Sequence, residues 1–202
     1  MAENIRLTEA SRFMREASAD FKTRAEGDSL YIEGYFSVFD SSYEMWDNVV
    51  EHVKRGAFED TLASDDIRAL INHDTTLVLG RNTAGTLMLE EREHGLFGRI
   101  LINPKDQDAM NAYARVERGD VTQCSFGFDV LADETEKVGD VLHVYLTRVK
   151  LYEVSICTFP AYEDTAISAR DAANFEQRRK EAEAKILKAW KAEQLKRLGK
   201  DN

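Results

Sequence analysis

Three short segments of the chain carry a histidine, a serine and a carboxylate, each within an apolar run typical of a β-strand. His73 lies in Asn-His-Asp, Ser125 in Cys-Ser-Phe-Gly-Phe and Glu153 in Leu-Tyr-Glu-Val-Ser. A serine hydroxyl is a weak nucleophile until a base takes its proton, and an imidazole base needs a third group to hold its tautomer and stabilise its charge. The three segments therefore indicate the residue set of a serine hydrolase.

Strand alternation predicts where the serine faces. Cys124, Phe126 and Phe128 share one face of their strand, while Ser125 and Gly127 share the other. The bulky apolar face is expected to face the core, which turns Cys124, the rival nucleophile, away from the site. The missing side chain at Gly127 predicts room beside Ser125 for a substrate backbone.

The same alternation applies to the carboxylate. Glu153 and Ser155 share one face of the strand. The other face carries Tyr152, Val154 and Ile156. A carboxylate in so apolar a strand costs free energy unless it has a donor partner, and an imidazole N–H is such a donor. His73 follows an apolar run at a strand end, where its ring is expected to project from the rim.

Each residue also has an ordinary structural interpretation. Ser125 taken alone is a strand serine, His73 a turn histidine bonded to Asp74, and Glu153 an exposed residue of an edge strand. The chain has no Gly-x-Ser-x-Gly elbow, and the order His, Ser, Glu differs from that of α/β-hydrolases, subtilisin and chymotrypsin. Spacing alone therefore does not choose between the two interpretations.

Composition limits the classes of function. The chain has 202 residues, suited to one domain with an appendage, and carries 27 basic and 37 acidic residues for a net charge of -10. This charge disfavours a general nucleic-acid or anionic-membrane binder and predicts protein partners. No apolar run approaches the roughly 20 residues that span a bilayer, and residues 1–20 have no signal-peptide core, so we expect a cytosolic protein.

Cysteine and histidine usage predicts neither a metal site nor a cofactor. The two cysteines, Cys124 and Cys157, lie in apolar strand-like segments without metal-ligand spacing, and we expect both to be reduced and buried. The four histidines are scattered, with no His-Glu-x-x-His motif and no pair at helical spacing.

Apolar periodicity predicts a mostly β domain over 1–170 and a charged helix over 171–202. Strands are predicted at 21–25, 30–39, 49–53, 67–72, 86–90, 96–102, 121–131 and 141–155, with helices at 56–62 and 106–117. An acidic loop is predicted between the last two strands. The charged tail either docks on the domain or serves as a linker or partner-binding arm.

Six motifs, taken in order, resemble the tailed-phage prohead proteases of the HK97 type. The resemblance spans about residues 30–169. The motifs are Gly34-Tyr35-Phe36-Ser37-Val38-Phe39, Gly56-Ala57-Phe58-Glu59-Asp60-Thr61-Leu62, Asn72-His73-Asp74 with Leu79-Gly80-Arg81, Gly95-Leu96-Phe97-Gly98, Cys124-Ser125-Phe126-Gly127-Phe128, and Leu151-Tyr152-Glu153-Val154-Ser155 through Thr158-Phe159-Pro160-Ala161.

The resemblance implies an α+β fold, mostly an antiparallel β-barrel wrapped by a few helices, as in the distantly similar herpesvirus maturation proteases. It implies a serine endopeptidase that removes the scaffolding portion of a phage major capsid protein and digests itself. Such an enzyme works in the host cytoplasm, inside the immature procapsid. Confinement there raises effective concentration, so dimer-dependent activation is a further expectation.

By motif, His73 matches the family histidine and Ser125 the family serine. For the third member Glu153 is preferred, with His143 as the alternative, because the herpesvirus relatives use a second histidine. The oxyanion donors are expected to be backbone N–H groups, assisted by Arg81 or Arg99. Two other classes stay open: a non-catalytic scaffolding or assembly protein of the procapsid, and an esterase acting on small molecules.

Overall fold

The computed structural model describes residues 13–18, 21–46 and 48–159, together with single helical positions at 180, 184 and 188. The strands in these residues are β1 (Phe13–Ser18), β2 (Lys22–Glu26), β3 (Ser29–Val38), β4 (Ser42–Trp46), β5 (Val49–Val53), β6 (Arg68–Ile71), β7 (Asp74–Arg81), β8 (Leu87–Glu91), β9 (Gly95–Ile102), β10 (Gln123–Val138) and β11 (Val141–Cys157). The helices are α1 (Glu59–Ser64), α2 (Gln107–Arg118) and a 3-10 turn at Asn82–Ala84.

The larger sheet is organised around the long strand β11. Its path is β1-β10-β11-β5-β4, and β6 pairs with both β11 and β7. The antiparallel partner β10 runs along one edge of β11. The other edge pairs in parallel with β5 over residues 142–146 and with β6 over residues 153–156. The second half of β11 therefore lies between β10, which carries Ser125, and β6, which leads into His73.

The smaller sheet has four antiparallel strands in the order β2-β3-β9-β8. It packs on the larger sheet through one hydrophobic cluster. This cluster joins Phe36 and Leu96 of the small sheet to Phe126, Phe128 and Val154 of the large sheet. All five side chains are at most 2% exposed. The core thus lies on one face of β10 and β11 and leaves their opposite face for other residues.

Helix α2 forms where the apolar spacing predicts it. The Asp106 carboxylate caps its start by accepting hydrogen bonds from the backbone N–H groups of Asp108 and Ala109. Gly119, at φ 82°, ends it in the left-handed conformation. Within the described residues, no helix has both the length and the apolarity needed to cross a membrane.

Strand β1 is fastened to the large sheet by a buried ion pair. It pairs antiparallel with β10, so its backbone lies directly beside Ser125. The Arg15 guanidinium donates two hydrogen bonds to the Glu51 carboxylate, with Nη2 3.0 Å from Oε2. Burial acts to lower the pKa of Arg15, but the neighbouring Glu51 carboxylate outweighs it and the pKa is raised. The N-terminal stretch, in which no strand was predicted, therefore covers the outer edge of the serine-bearing strand.

The sequence-based prediction of the fold is confirmed as mostly β but needs correction in detail. The implied closed barrel is not formed by the described strands, which lie in two separate sheets. A barrel requires unbroken strand pairing around the ring. Strands β10 and β3 belong to different sheets and meet through side-chain contacts. In one of these contacts, the Cys124 thiol lies 3.4 Å from the Tyr35 carbonyl. Helix α1 begins three residues later than predicted, at Glu59.

Three further segments were predicted wrongly or missed. The expected acidic loop is regular strand on both sides of a turn at 139–140, because residues 132–138 pair with residues 141–148. Strands β4 and β7 were also missed. The predicted tail at 171–202 lies outside the described residues except at 180, 184 and 188, which are helical and exposed.

Candidate active site

His73 occupies a tight turn between β6 and β7. Asn72 and His73 are the two central residues of this hairpin, with φ values of 50° and 59°. Positive φ at both positions is typical of the type I′ turn that suits the strand twist, and asparagine tolerates it well. The histidine is strained there, which a functional site often accepts. The sequence predicted a strand end at this position, whereas the structure adds the returning strand β7.

The His73 ring is held by Glu153. Nδ1 of His73 lies 2.7 Å from Oε1 of Glu153. Because a carboxylate only accepts hydrogen bonds, Nδ1 is the donor in this contact, which leaves Nε2 as the nitrogen able to act as a base. Glu153 is 4% exposed, so the pair is largely shielded from solvent. This arrangement directs Nε2, the other ring nitrogen, away from the carboxylate.

Ser155 completes the support of this pair. Its hydroxyl donates to Oε2 of Glu153 at 2.6 Å and accepts the backbone N–H of His73 at 3.2 Å. One side chain therefore positions both the carboxylate and the backbone of the turn. Strand alternation predicted Ser155 on the same face as Glu153, but no role was predicted for it. The signal available in the sequence was the position of Ser155 two residues after Glu153, which puts both side chains on one face of the strand.

Ser125 lies on the same face of the sheet as these groups. It is directly opposite Ser155 across the β10–β11 pair, and directly opposite residues share a face. The residue is fully buried, and its Oγ makes no hydrogen bond with the described residues. Cys124 points to the other side, where its thiol contacts the carbonyl groups of Tyr35 and Phe36. The predicted alternation between Ser125 and Cys124 is therefore present.

Gly127 has a different use from the one predicted. A Cβ atom at this position would lie 2.4 Å from Oε1 of Glu153. The space left by the missing side chain is thus filled by the Glu153 carboxylate and not by a substrate backbone. This close approach lets Glu153 lie across β10 and reach His73.

A β-bulge corrects the predicted alternation in β11. Tyr152 is the extra residue, because Gly127 pairs with Glu153 while Phe128 pairs with Leu151. The Tyr152 hydroxyl donates to the Asp129 carboxylate at 2.6 Å, so Tyr152 does not join the core residues that follow it. The bulge changes the direction of β11 just before Glu153.

Cys157 lies at the end of the same face. Its Sγ is 4.0 Å from Nε2 of His73 and 4.0 Å from the Ser155 carbonyl. Both cysteines are buried, as predicted. Among the described residues, the Cys157 thiol therefore lies next to Nε2 of His73.

The other residues considered for this site lie elsewhere. His143, the alternative third member, is in the first half of β11, where its Nδ1 lies 2.9 Å from Nε2 of His52. Arg81 is engaged with Asp66 at 2.7 and 2.6 Å. Arg99, in the small sheet, forms ion pairs with Glu26 and Glu33 and stacks on Tyr31. These contacts commit both guanidinium groups away from His73.

Comparisons with known proteins place the chain in a family. The model of the caudovirus prohead serine protease family matches residues 18–178. The prohead protease of Enterobacteria phage HK97 is 30% identical over 153 residues, which are 74% of this chain and 64% of that protein. The chain thus spans less than two thirds of that relative. The capsid assembly protease gp21 of bacteriophage T4 shares 14% identity, covers 76% of this chain and 100% of its own, and gives a TM-score of 0.47.

Proposed function

The chain belongs to the caudovirus prohead serine protease family, and on this premise we propose that it is a serine endopeptidase of capsid maturation. Its substrates are the scaffolding portion of a phage major capsid protein and the protease itself. The observation that supports this most directly is the buried His73–Glu153 pair on the sheet face that also carries Ser125.

The proposed role of Glu153 rests on its hydrogen bond to His73, and that of Ser125 on its place on the same face of the sheet. Nε2 of His73 takes the proton of the Ser125 hydroxyl as Oγ attacks a peptide carbonyl, and Glu153 stabilises the imidazolium that forms. The leaving amine takes the proton from His73, and water then hydrolyses the acyl-enzyme by the reverse sequence. Proton transfer requires Nε2 and Oγ to approach to about 3 Å, and catalytic hydrogen bonds of this kind often tighten only when substrate binds.

Burial supports these roles electrostatically. A dry environment strengthens the interaction between the imidazolium and the carboxylate, because water no longer screens it. The Ser125 hydroxyl is fully buried and makes no hydrogen bond with the described residues, so no other described group holds its proton. Backbone N–H groups are the proposed oxyanion donors, since Arg81 and Arg99 are engaged elsewhere.

The proposed setting follows from the family. The protease acts inside the immature procapsid in the host cytoplasm, where confinement with the capsid protein raises its effective concentration. Activation through a homodimer is part of the proposal, because it keeps the protease inactive while it is dilute, before it is enclosed with its substrate. Residues 1–170 form the protease domain in this proposal, and residues 171–202 form a helical arm.

The experiment is co-expression with the candidate major capsid protein, followed by intact mass spectrometry. Wild type is compared with Ser125→Ala and with a control, Ser37→Ala, which alters a buried serine of the small sheet. We expect wild type and Ser37→Ala to shorten the capsid protein and themselves, and Ser125→Ala to do neither. If both proteins stay full length in all samples within properly assembled shells, the proposal is wrong and a non-catalytic scaffolding role takes its place.

A further inference from the structure

The first half of β11 carries a row of stacked rings on the side of the sheet away from the core. His143 and Tyr145 alternate with the buried core residues Val144 and Leu146. His52 of β5 is opposite Tyr145, and its ring stacks on Tyr145 at 4.9 Å and on His143 at 5.2 Å. All three rings are partly exposed. We call these three side chains the aromatic row.

Acidic residues border the aromatic row on both sides. Glu136 of β10 is opposite His143, while Glu44 of β4 is opposite Val50 of β5, which is itself opposite His143. Because directly opposite residues share a face, both carboxylates lie on the side of the aromatic row. They are three strand spacings apart, which is about 14 Å. Both residues are exposed, and neither forms an ion pair within the described residues.

The C-terminal tail has the opposite charge to the rest of the chain. Residues 171–202 contain nine basic and six acidic residues, whereas residues 1–170 contain 18 basic and 31 acidic residues. The tail thus carries a net charge of +3 and the remainder a net charge of -13. Opposite charges attract at short range in physiological salt, and an acidic surface of the chain is therefore an electrostatic partner for its own tail.

Helical spacing predicts that the tail combines an apolar stripe with basic flanks. The stripe consists of Phe175, Ala182, Ile186 and Ala189. Basic residues flank it on both sides, with Arg178, Lys185 and Lys196 on one side and Arg179 and Arg197 on the other. The described positions 180, 184 and 188 are helical and exposed, and helical spacing puts them opposite the stripe. The exposed side of the helix is therefore the side that docking through the stripe leaves in solvent.

We propose that the tail of this chain docks as a helix on the aromatic row of its own domain. The apolar stripe lies over the rings, and the flanking basic side chains point to Glu44 on one side and Glu136 on the other. A helix with its side chains is about 10–12 Å across, which fits between carboxylates about 14 Å apart. Lys54, whose Nζ is 4.5 Å from the Tyr145 ring, is paired with Asp40 at 3.9 Å, which reduces its repulsion of a basic helix.

The length of the chain allows the tail to reach this surface of the same molecule. Tyr145 lies 14 positions before Phe159, the last described residue before the tail, which is at most about 48 Å along an extended strand. Residues 160–170 span up to about 36 Å when extended, and a helix over residues 171–186 adds about 24 Å. Docking requires no catalysis, so this inference is independent of the proposed protease activity.

The test is amide hydrogen exchange of the full chain at low salt, measured by mass spectrometry on peptides from the tail. The parent protein carries Ser125→Ala, so that self-cleavage does not remove the tail. An isolated helix of this length is marginal in water, and we expect docking to slow exchange over residues 175–197 about tenfold relative to Glu44→Lys/Glu136→Lys. The control, Asp28→Lys/Glu117→Lys, makes the same change of charge at exposed positions of the β2–β3 turn and α2, and should keep the slow exchange.

A second comparison changes the tail itself. Arg178→Glu/Lys185→Glu reverses two charges beside the apolar stripe and is expected to lose the protection. Lys180→Glu/Lys188→Glu reverses two charges on the exposed opposite side and is expected to keep it. Peptides from β10 and β11 show in the same experiment that each variant is folded.

Three results would overturn the proposal. The first is fast exchange of the tail in the parent protein, and the second is equal exchange in either variant and its matched control. The third is protection that disappears on tenfold dilution of the parent protein, because it would place the tail on a second copy of the chain. Protection that is independent of protein concentration and sensitive to both sets of charges is the expected outcome.

Discussion

Nδ1 of His73 lies 2.7 Å from Oε1 of Glu153, although 80 positions of sequence separate the two residues. The contact depends on three local features: the two-residue turn that carries His73, the bulge at Tyr152 that aims Glu153, and the missing side chain at Gly127. Each feature can be altered separately, which makes the arrangement open to experiment.

Glu153→Gln is expected to slow cleavage of the capsid protein by about 10³-fold, because the variant keeps the volume but loses the charge and the tautomer control over His73. Single-turnover cleavage at saturating protease measures this effect. Glu134→Gln, at an exposed position in the distal half of β10, serves as the control and should match wild type. A Glu153→Gln rate within twofold of wild type would exclude Glu153 from the proposed mechanism.

Gly127→Ala is expected to impair cleavage by tenfold or more and to destabilise the protein by about 1–3 kcal/mol, since the new methyl group would meet the Glu153 carboxylate at 2.4 Å. The control is Gly139→Ala. Gly139 has a φ of 62° and open space around it, so alanine there costs about 1–3 kcal/mol of backbone strain without touching the site. Urea unfolding and cleavage rates compare the two. Equal activity in both variants would show that the close approach at Gly127 does not matter for function.

Ser155→Ala is expected to cost about 1–3 kcal/mol of stability, because Oε2 of Glu153 and the His73 N–H each lose a hydrogen-bond partner. As a positioning residue, Ser155 should also affect kcat and the pH profile more than KM. Ser37→Ala, which changes another buried serine, is the control for a purely structural loss. If Ser155→Ala alters stability alone and leaves kcat and the pH profile at wild-type values, the positioning role is wrong.

The histidine pair on the first half of β11 predicts a pH dependence of stability. Nδ1 of His52 donates to the Ser41 carbonyl, so its Nε2 accepts the hydrogen bond from Nδ1 of His143 at 2.9 Å. Burial lowers the pKa of His52, as do His143 and Lys54, while the Ser41 carbonyl and Asp40 act in the opposite direction. The pKa of His52 in the folded protein therefore lies below its usual value of 6.5.

The sign follows from proton binding. Below about pH 6.5 the unfolded chain binds a proton at this position more readily than the folded protein, so the contribution of His52 to stability is complete above that pH and declines as the pH falls. Thermal unfolding at pH 7.5 and 5.5 should show a smaller loss in His52→Gln than in wild type. Identical losses in the two proteins would remove His52 as a cause.

Local sequence determined much of the β-rich framework. The apolar run at 49–53 is strand β5, and the apolar spacing after Asp106 is helix α2. Strand alternation separated Ser125 from Cys124, and the motif order placed the chain in its family. These features depend on neighbouring residues, whose side-chain periodicity is set by the backbone geometry of helices and strands.

Tertiary structure alone decided which distant residues meet. The open pair of sheets, the strand at β7 and the bulge at Tyr152 depend on register between strands far apart in the chain, which no local pattern specifies. That register brings Glu153, and not His143, to His73, and fills the space over Gly127 with a carboxylate. It also places Cys157 beside a histidine 84 positions away, a contact that no local pattern in the sequence reveals.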